Sequence, residues 1–340
     1  MAEQISATRK QLRRGALSAL LCYVLWGSFP LYWKLLSNVS PFEIIAHRIL
    51  WCFVFTVILC VAMRQNFVAL LRDKRAIRFL LPAAILITLN WSIYIYAVEI
   101  DHIVETAIGY YITPLVSIVL GLIMFQERLT PLQLIAVILC VLGIAFFTLN
   151  YGRFPWIAIV LAVSFGLYGA VKKKGGYPAV EALAVESTLM AVPALVLAVA
   201  TAVVTGSHGF FATTTAGIDW RTTLLLIGAG AVTAAPLILF AKAANSIPLT
   251  LLGFFQYVSP TISLLLGVFV NGESFTVAHG VCLGCIWCGL ALVAIDTLRA
   301  SRTATPEHPS LLEQEQRAYD AQTTAQDPLT APAQQRHDEV

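Results

Sequence analysis

The hydrophobic pattern of this chain consists of long apolar runs separated by short polar or turn-forming segments. Ten runs approach or exceed the roughly 20 residues that a helix needs to cross the hydrocarbon layer of a membrane. They cover residues 15–36, 43–63, 77–98, 103–125, 131–149, 155–171, 181–204, 222–242, 248–270 and 276–298. Seven of the nine connections have only four to nine residues. The pattern therefore predicts an all-α integral membrane protein that acts inside the bilayer.

The basic start of the chain followed by an apolar run is also typical of a secretory signal peptide. No small-residue cleavage site follows the run, however, and nine further spans do. The first run is therefore predicted to be a retained transmembrane helix.

Composition supports the membrane assignment. The 340 residues are 58% hydrophobic and 12% charged, and the mean hydropathy is +0.78. Soluble domains are about half apolar and about a quarter charged.

Basic residues are distributed unevenly among the connections. Sixteen Lys and Arg residues lie in one set of alternating connections and ends, and only Arg153 and Arg221 lie in the other set. Because basic residues concentrate on the cytoplasmic side, both termini are predicted to be cytoplasmic. The net charge of +3 is thus a topology signal and does not indicate a nucleic-acid partner.

An internal repeat relates the two halves of the chain. TPLVSIVLGLIMFQERLT, at 113–130, aligns with SPTISLLLGVFVNGESFT, at 259–276. Each copy holds five spans, an odd number, so the second copy enters the membrane from the opposite side. Such inverted repeats are typical of secondary transporters, with the substrate site near the midplane. The predicted organisation is a basic N-terminus (1–14), a first repeat (15–149), a second repeat (150–298) and a disordered cytoplasmic tail (299–340).

Repeat-related prolines mark the predicted cavity between the fourth and ninth helices. Pro114 and Pro260 each free a backbone carbonyl, which a membrane helix tolerates only beside protein or a wet cavity. Tyr110 and Gln256 share their faces and are too large for simple close packing. The third helix adds Asn90, Trp91 and Tyr94 near the middle of its span, where lining of the cavity is favoured over an interfacial aromatic belt. Aromatic pockets suit solutes with a hydrophobic or cationic part.

Ionisable residues inside membrane helices cost roughly 2.5 to 3.5 kcal/mol and invite a functional interpretation. The candidates for an ion pair or a proton relay are Glu43, His47, Arg48, Glu105 and Glu186. His47 and Arg48 could instead pair with Glu43 or Glu105 and fix the second helix, while Lys34 and Glu43 could anchor helix ends at the interface. The repeat also matches Lys34 with Lys173 at the opposite end. The sequence leaves these alternatives open.

All seven cysteines lie inside predicted spans. The segment CLGCIWC places three of them on one helix face. No further ligand lies at a suitable spacing, so we expect these cysteines to pack as small apolar residues, without a metal or a disulfide.

Five segments together resemble the RarD-type proteins of the EamA-domain group, within the drug/metabolite transporter superfamily. They are WGSFPLYWKL, EIIAHRILW, NWSIYIYAV, GYYITPLVSIVLG and LGFFQYVSPTISLLL, and the likeness covers residues 15 to about 298. The resemblance implies a ten-helix transporter of two EamA repeats in a bacterial cytoplasmic membrane, working without ATP hydrolysis or a cofactor. It also implies that helices one, three, four, six, eight and nine surround the cavity, which puts Trp26, Pro30 and Lys34 of the first helix on a cavity helix. Many members of the superfamily export metabolites, amino acids or drugs, so we expect a substrate of this kind. The inverted repeat and its paired prolines favour transport by alternating access.

Two other classes of function, an enzyme and a scaffold or receptor, fit the sequence less well. An enzyme would need catalytic residues, but the chain has no His-Glu-x-x-His pair, Gly-rich phosphate loop or nucleophile elbow. A scaffold or receptor acting through the tail would leave the duplicated polar stripes without a purpose. The expected partners are a small-molecule substrate and the lipid bilayer, and a homodimer remains an open alternative.

Overall fold

The fold is a bundle of helices, seen in a computed structural model that describes residues 2–100, 102–205, 213–214, 217–271 and 275–303. The helices are α1 (Ala2–Lys34), α2 (Pro41–Ala62), α3 (Phe67–Arg72), α4 (Lys74–Glu99), α5 (Ile103–Phe125), α6 (Pro131–Tyr151), α7 (Trp156–Gly175), α8 (Ala179–Thr205), α9 (Trp220–Ala244), α10 (Leu249–Gln256), α11 (Val258–Asn271) and α12 (Val277–Thr303). A two-residue antiparallel pair joins β1 (Thr213–Thr214) to β2 (Gly217–Ile218). One compact unit runs to Val293. Of the second, which begins at Ala294, the structure describes only the end of α12.

Ten spans are long and apolar enough to cross a membrane within the described residues, which confirms the predicted all-α fold. Three details differ from the prediction. Helix α1 begins at Ala2, because the polar residues before the span are mostly good helix formers. A short helix, α3, fills the connection after α2, and the ninth span is divided into α10 and α11. The predicted tail beyond Thr303 lies outside the described residues.

Reciprocal capping begins the same helix in both repeats. In the first repeat, Thr130 Oγ1 accepts a hydrogen bond from the Gln133 amide at 3.2 Å, and Gln133 Oε1 accepts one from the Thr130 amide at 3.3 Å. In the second repeat, Thr276 Oγ1 accepts from the His279 amide at 3.4 Å, and His279 Nδ1 accepts from the Thr276 amide at 3.3 Å. Such a box satisfies two amides that the first helical turn leaves unpaired.

Two other helices begin at side-chain caps. Asn66 Oδ1 accepts from the Ala69 amide at 3.1 Å at the start of α3. Asp219 accepts from the Thr222 hydroxyl at 2.7 Å and from the Thr222 amide at 3.2 Å at the start of α9. These hydrogen bonds favour the carboxylate and lower the pKa of Asp219.

Glycine contacts between the repeats show the inverted symmetry directly. A Cβ at Gly27 on α1 would lie 2.7 Å from Ile262 on α11, and a Cβ at Gly166 on α7 would lie 2.7 Å from Val116 on α5. These are equivalent contacts, because Gly27 aligns with Gly166 and Val116 aligns with Ile262. In each repeat, therefore, a glycine on the first span lets the fourth span of the other repeat approach closely.

A second pair of glycines joins α6 to α12. A Cβ at Gly143 would lie 2.7 Å from the Cys285 Cβ, and a Cβ at Gly289 would lie 3.1 Å from the Ala136 carbonyl oxygen. Cys282 is 1% exposed at the same contact. This geometry agrees with the packing interpretation of the cysteine-rich face.

The spans alternate in direction, so the bundle has two ends, which we call basal and distal. The basal end holds the start of the α1 span and the connections that follow α2, α5, α7 and α9. The distal end holds the last turns of α1, α4, α6, α8 and α11 and the first turns of α2, α5, α7, α9 and α12.

Candidate functional site

Arg48 extends from the distal half of α2 into the space between several helices. Its guanidinium carbon lies 4.7 Å from the centre of the Trp33 ring and 4.6 Å from the centre of the Trp91 ring. Its Nε donates a hydrogen bond to Thr233 Oγ1 at 3.1 Å. One cation thus joins α1, α2, α4 and α9. A cation over an aromatic face gains about 0.5 to 2 kcal/mol.

No carboxylate of the described side chains lies within 4.0 Å of Arg48. Arg48 therefore does not form the ion pair with Glu43 or Glu105 that the sequence left open. Glu43 is five residues earlier on α2 and lies on a different face of that helix. Glu105 is held elsewhere by its own hydrogen bonds. Arg48 reaches aromatic rings and one hydroxyl in place of a carboxylate.

Two tyrosines border the same space. The rings of Tyr94 and Tyr110 are 6.0 Å apart, and both lie within electrostatic range of Arg48. Tyr110 is 41% exposed. Because neighbours on α1, α4, α5 and α9 surround Arg48, we assign this exposure to the space between helices. We call this group the distal arginine site; it comprises Trp33, Arg48, Trp91, Tyr94, Tyr110 and Thr233.

Aromatic side chains fill the bundle on the basal side of this site. Tyr23 and Trp26 on α1, Phe165 and Tyr168 on α7, and Phe240 on α9 have neighbouring ring centres 5.4 to 6.5 Å apart. Tyr168 and Phe240 are stacked, and both are fully buried. Trp26, predicted to line the cavity, belongs to this aromatic layer.

Two buried polar atoms lie unsatisfied beside the aromatic layer. Tyr23 Oη and Gln256 Oε1 have no hydrogen bond of normal geometry among the described residues, although the Gln256 side chain lies close enough to the Tyr23 hydroxyl for a weak one. Their side chains are neighbours across α1 and α10, and the two residues are only 2% and 5% exposed. An unpaired buried polar group costs about 1 to 3 kcal/mol. A water or a ligand that hydrogen-bonds to these two atoms would therefore lower the free energy of the protein.

Each repeat-related proline changes the backbone hydrogen bonding of the predicted cavity residue four positions earlier. Proline removes the hydrogen bond that the carbonyl four residues earlier would accept. Pro114 therefore frees the carbonyl of Tyr110, and Pro260 frees that of Gln256. In the second repeat the helix is interrupted there, since α10 ends at Gln256 and α11 begins at Val258. Pro30 bears the same relation to Trp26.

An ion pair is buried near the basal end. Lys172 Nζ lies 2.6 Å from Glu186 Oε1, and both side chains are nearly inaccessible. The Tyr168 hydroxyl donates to Glu186 Oε2 at 3.4 Å. Glu186, a candidate for an ion pair or a proton relay, is thus an ion-pair partner within the second repeat.

Glu127 and Lys173 connect the two repeats at the basal end. Glu127 accepts hydrogen bonds from the amides of Leu249 and Thr250, both at 2.7 Å, and so caps α10. Lys173 Nζ lies 3.5 Å from Glu127 and donates to the Ile247 carbonyl at 2.6 Å. We call these five residues the basal clasp. The sequence identified Glu127 only as a repeated residue, since its role depends on a partner in the other repeat.

Glu105 has a similar capping role at the distal end. Its carboxylate accepts from the Ile157 amide at 2.7 Å and from the Tyr151 hydroxyl at 3.3 Å. His102 Nδ1 lies 2.9 Å away. Glu105 is 1% exposed and holds the start of α7. Its role as a proton carrier stays a prediction.

Other candidates lie outside the distal arginine site. The Asn90 amide donates to the Leu161 carbonyl at 2.9 Å and to Ser164 Oγ at 3.0 Å, so it fastens α4 to α7. His47 is buried, and its Nδ1 accepts from Trp51 Nε1 at 3.2 Å.

Lys34 is exposed at the distal end of α1, and Glu43 is partly buried in the first turn of α2. Both positions allow the charged end of a side chain to reach the membrane interface.

The chain has ten apolar spans in two inverted halves, which meet around interior polar and aromatic residues. This arrangement defines a multi-pass membrane protein built from two inverted repeats. The model of the EamA-like transporter family matches residues 13–149 and 155–295. The chain belongs to this family and is a RarD-type member of the drug/metabolite transporter superfamily, as the sequence resemblance implied.

Relatives with this arrangement occur in several bacteria. The "Uncharacterized transporter YojE" of Bacillus subtilis (strain 168) is 38% identical over 299 residues, which cover 86% of this chain and 98% of the relative. "Protein RarD" of Escherichia coli (strain K12) is 38% identical over 295 residues, with 86% and 98% coverage. The "Chloramphenicol-sensitive protein RarD" of Pseudomonas aeruginosa is 27% identical over 295 residues, with 85% and 96% coverage. These similarities indicate a multi-pass protein of the bacterial cell membrane.

A solved crystal structure has the same fold. It superposes with a TM-score of 0.64 at 17% sequence identity, covering 83% of this chain and 97% of that chain. At this identity the likeness concerns the fold alone.

Proposed function

We propose that this protein is a secondary transporter that exports small metabolites, amino acids or amphipathic drugs from a bacterial cell. It works by alternating access without ATP hydrolysis, and it is not an enzyme. Both termini are cytoplasmic in this proposal, so the basal end faces the cytoplasm and the distal end faces outward. Membership of the EamA-like transporter family and the sixteen-to-two distribution of basic residues support the proposal.

The contrast between the two ends of the bundle carries the proposal. Toward the distal end, the distal arginine site retains exposed tyrosine surface. Toward the basal end, the aromatic layer, the buried Lys172–Glu186 pair and the basal clasp fill the space between helices. This arrangement corresponds to an outward-facing state of an alternating-access cycle.

The basal clasp is the contact that must break when the repeats rock. Glu127 belongs to the first repeat, whereas Lys173, Leu249 and Thr250 belong to the second. The Lys172–Glu186 pair lies within one repeat and can stay intact throughout. The inward-facing state therefore releases the start of α10 from Glu127 and opens a path from the cytoplasm to Gln256.

The test is a comparison of intracellular and medium metabolites between a strain that lacks the protein and one that overproduces it. A compound that accumulates outside the overproducing cells is then supplied to liposomes that contain the purified full chain. We expect protein-dependent flux of that compound without ATP. If no metabolite, amino acid or amphipathic drug moves under any applied gradient, the transport proposal is wrong.

A clasp variant adds a specific readout. Glu127→Gln removes the charge that faces Lys173 and weakens the cap of α10, so it changes the flux of the identified compound. Lys174→Gln is the matched control, because Lys174 is exposed next to the clasp and has no described partner in it. Equal flux in wild type, Glu127→Gln and Lys174→Gln would remove the clasp from the transport cycle.

A further inference from the structure

We infer that the distal arginine site binds the anionic group of the transported compound, so the substrate is an organic anion with an apolar or aromatic part. This inference rests on the proposed transport function, because it names the substrate class of the same cavity. It starts from the charge balance around Arg48.

Arg48 differs from the other interior cations in its partners. Lys172 is paired with Glu186 at 2.6 Å, and Lys173 lies 3.5 Å from Glu127. Arg48 has no carboxylate within 4.0 Å among the described side chains. A positive charge inside a membrane helix is costly and is normally matched by an opposite charge. The missing opposite charge is what an anionic ligand would supply.

The hydrogen bonds of Arg48 are also incomplete. A guanidinium has five N–H donors, and only Nε of Arg48 donates to a described residue, Thr233. Neither Nη group donates a hydrogen bond to the residues that the structure describes. Their parallel N–H bonds match a carboxylate, phosphate or sulfonate group, which a guanidinium binds through two hydrogen bonds at once.

The aromatic residues limit how a ligand can approach. Trp33 and Trp91 present their ring faces to the guanidinium, at 4.7 and 4.6 Å from its carbon. These faces already hold a cation that belongs to the protein. Of the sequence-based expectation, a solute with a hydrophobic or cationic part, only the hydrophobic alternative fits this site.

The two tyrosines form the remaining side of the site. The Tyr94 and Tyr110 rings lie 6.0 Å apart, and Tyr110 is 41% exposed. Their rings offer an apolar wall, and their hydroxyl groups can donate to an oxygen anion. An anion with an apolar or aromatic body satisfies Arg48 and this wall together, whereas a neutral analogue leaves the Arg48 charge unmatched.

The experiment measures binding to the purified full chain in neutral detergent, by tryptophan fluorescence at pH 7. The probes are phenylacetate, phenylacetamide and phenethylamine, which share one ring and differ in charge. We expect phenylacetate to bind at least about 10-fold more tightly than the other two, because only its carboxylate can form a bidentate ion pair with the guanidinium. Similar binding of all three, preference for the amine, or no binding of phenylacetate would each overturn the inference.

Variants assign the effect to the residue. Arg48→Gln should reduce phenylacetate binding to the level of phenylacetamide, while Arg48→Lys should keep part of the preference because it keeps the charge but loses the planar fork. Arg153→Gln is the control, since Arg153 is exposed outside the spans. Wild-type binding of phenylacetate by Arg48→Gln would overturn the inference. Gel filtration of each variant verifies that it is folded.

An anionic lipid headgroup offers the same chemistry as a soluble anion. Adding phosphatidylglycerol to the detergent micelles, with phosphatidylcholine as the control, separates the two sources. Unchanged phenylacetate binding supports the soluble anion, and displacement by phosphatidylglycerol alone would overturn it.

The binding experiment and the flux experiment can fail independently. Anion binding without any flux would contradict transport alone. Protein-dependent export of only neutral or cationic compounds would contradict the anion assignment alone.

Discussion

The interior cations near the two ends of the bundle have different kinds of partner. Near the basal end, Lys172 and Lys173 each lie beside a carboxylate, Glu186 or Glu127. In the distal half, Arg48 lies among aromatic rings without a carboxylate among the described side chains within 4.0 Å. The paired cations hold helices together, whereas the cation without a carboxylate retains binding capacity for a ligand. Removing a member of each group should therefore have different consequences.

The largest expected effect comes from the buried pair. Glu186→Leu leaves Lys172 buried without its carboxylate and should destabilise the protein by about 3 to 5 kcal/mol. The double variant Lys172→Met with Glu186→Leu should recover most of the loss, because it removes both charges. Thermal unfolding in detergent measures the difference. Equal stability of Glu186→Leu and wild type would show that the pair does not hold α7 to α8.

Arg48 provides the contrasting case. Arg48→Leu removes a charge that has no carboxylate partner within the described part of the chain, so it leaves no described opposite charge unpaired. It should therefore change stability by less than about 2 kcal/mol, the scale of its aromatic contacts. Flux of the compound identified by the metabolite comparison should nevertheless fall at least about 10-fold, since a lost charged hydrogen bond is worth more than 1.4 kcal/mol. If Arg48→Leu is strongly destabilised but transports normally when folded, then Arg48 stabilises the protein and does not bind the transported compound.

The clasp should respond with an intermediate effect. Glu127→Gln keeps an acceptor for the start of α10 but loses the charge, so we expect a loss of about 0.5 to 2 kcal/mol from the capped helix. The same change should favour basal opening. Proteolysis or hydrogen exchange at 247–256 would detect it, with Lys174→Gln as the control. Unchanged exchange in that segment would contradict the clasp.

The smallest expected effect concerns the capping boxes. Thr130→Ala removes the acceptor for the Gln133 amide and should cost about 1 kcal/mol of stability. It should leave flux unchanged, because the cap lies apart from the distal arginine site. Thr130→Ser, which keeps the hydroxyl, is the matched control. A flux defect in Thr130→Ala that Thr130→Ser does not share would couple this helix start to transport.

The sequence predicted the fold well, because long apolar runs and an odd-numbered repeat both follow from the bilayer. Ten spans and the inverted halves were readable from hydropathy and from the alignment of Pro114 with Pro260. The interruption after Gln256 was only partly foreseeable. A proline weakens a helix in either repeat, but packing decides whether it bends or breaks.

The candidate site was less accessible to prediction, because its partners come from distant parts of the chain. Arg48 stood out as a charge within a span, yet its contacts with Trp33 and Thr233 depend on how α1 and α9 pack around α2. Neither residue was predicted as part of the site. The only local signal was Trp33, which lies near the distal end of α1 at a similar depth in the membrane to Arg48. Asn90 shows the reverse case, since its amide is used between α4 and α7.

The most direct test of the account compares the repeat-related positions Tyr110 and Gln256. Each is replaced by cysteine in a background without the seven native cysteines, and intact cells are treated with a membrane-impermeant maleimide. Tyr110→Cys should be labelled from outside at least about 10 times faster than Gln256→Cys, because a minor conformer is typically populated at 0.1–10%. Glu127→Gln favours basal opening, so it should raise the labelling rate of Gln256→Cys toward that of Tyr110→Cys. Inside-out vesicles, which expose the cytoplasmic side, measure this change. Faster external labelling of Gln256→Cys, or equal labelling of both, would contradict an outward-facing site closed toward the cytoplasm.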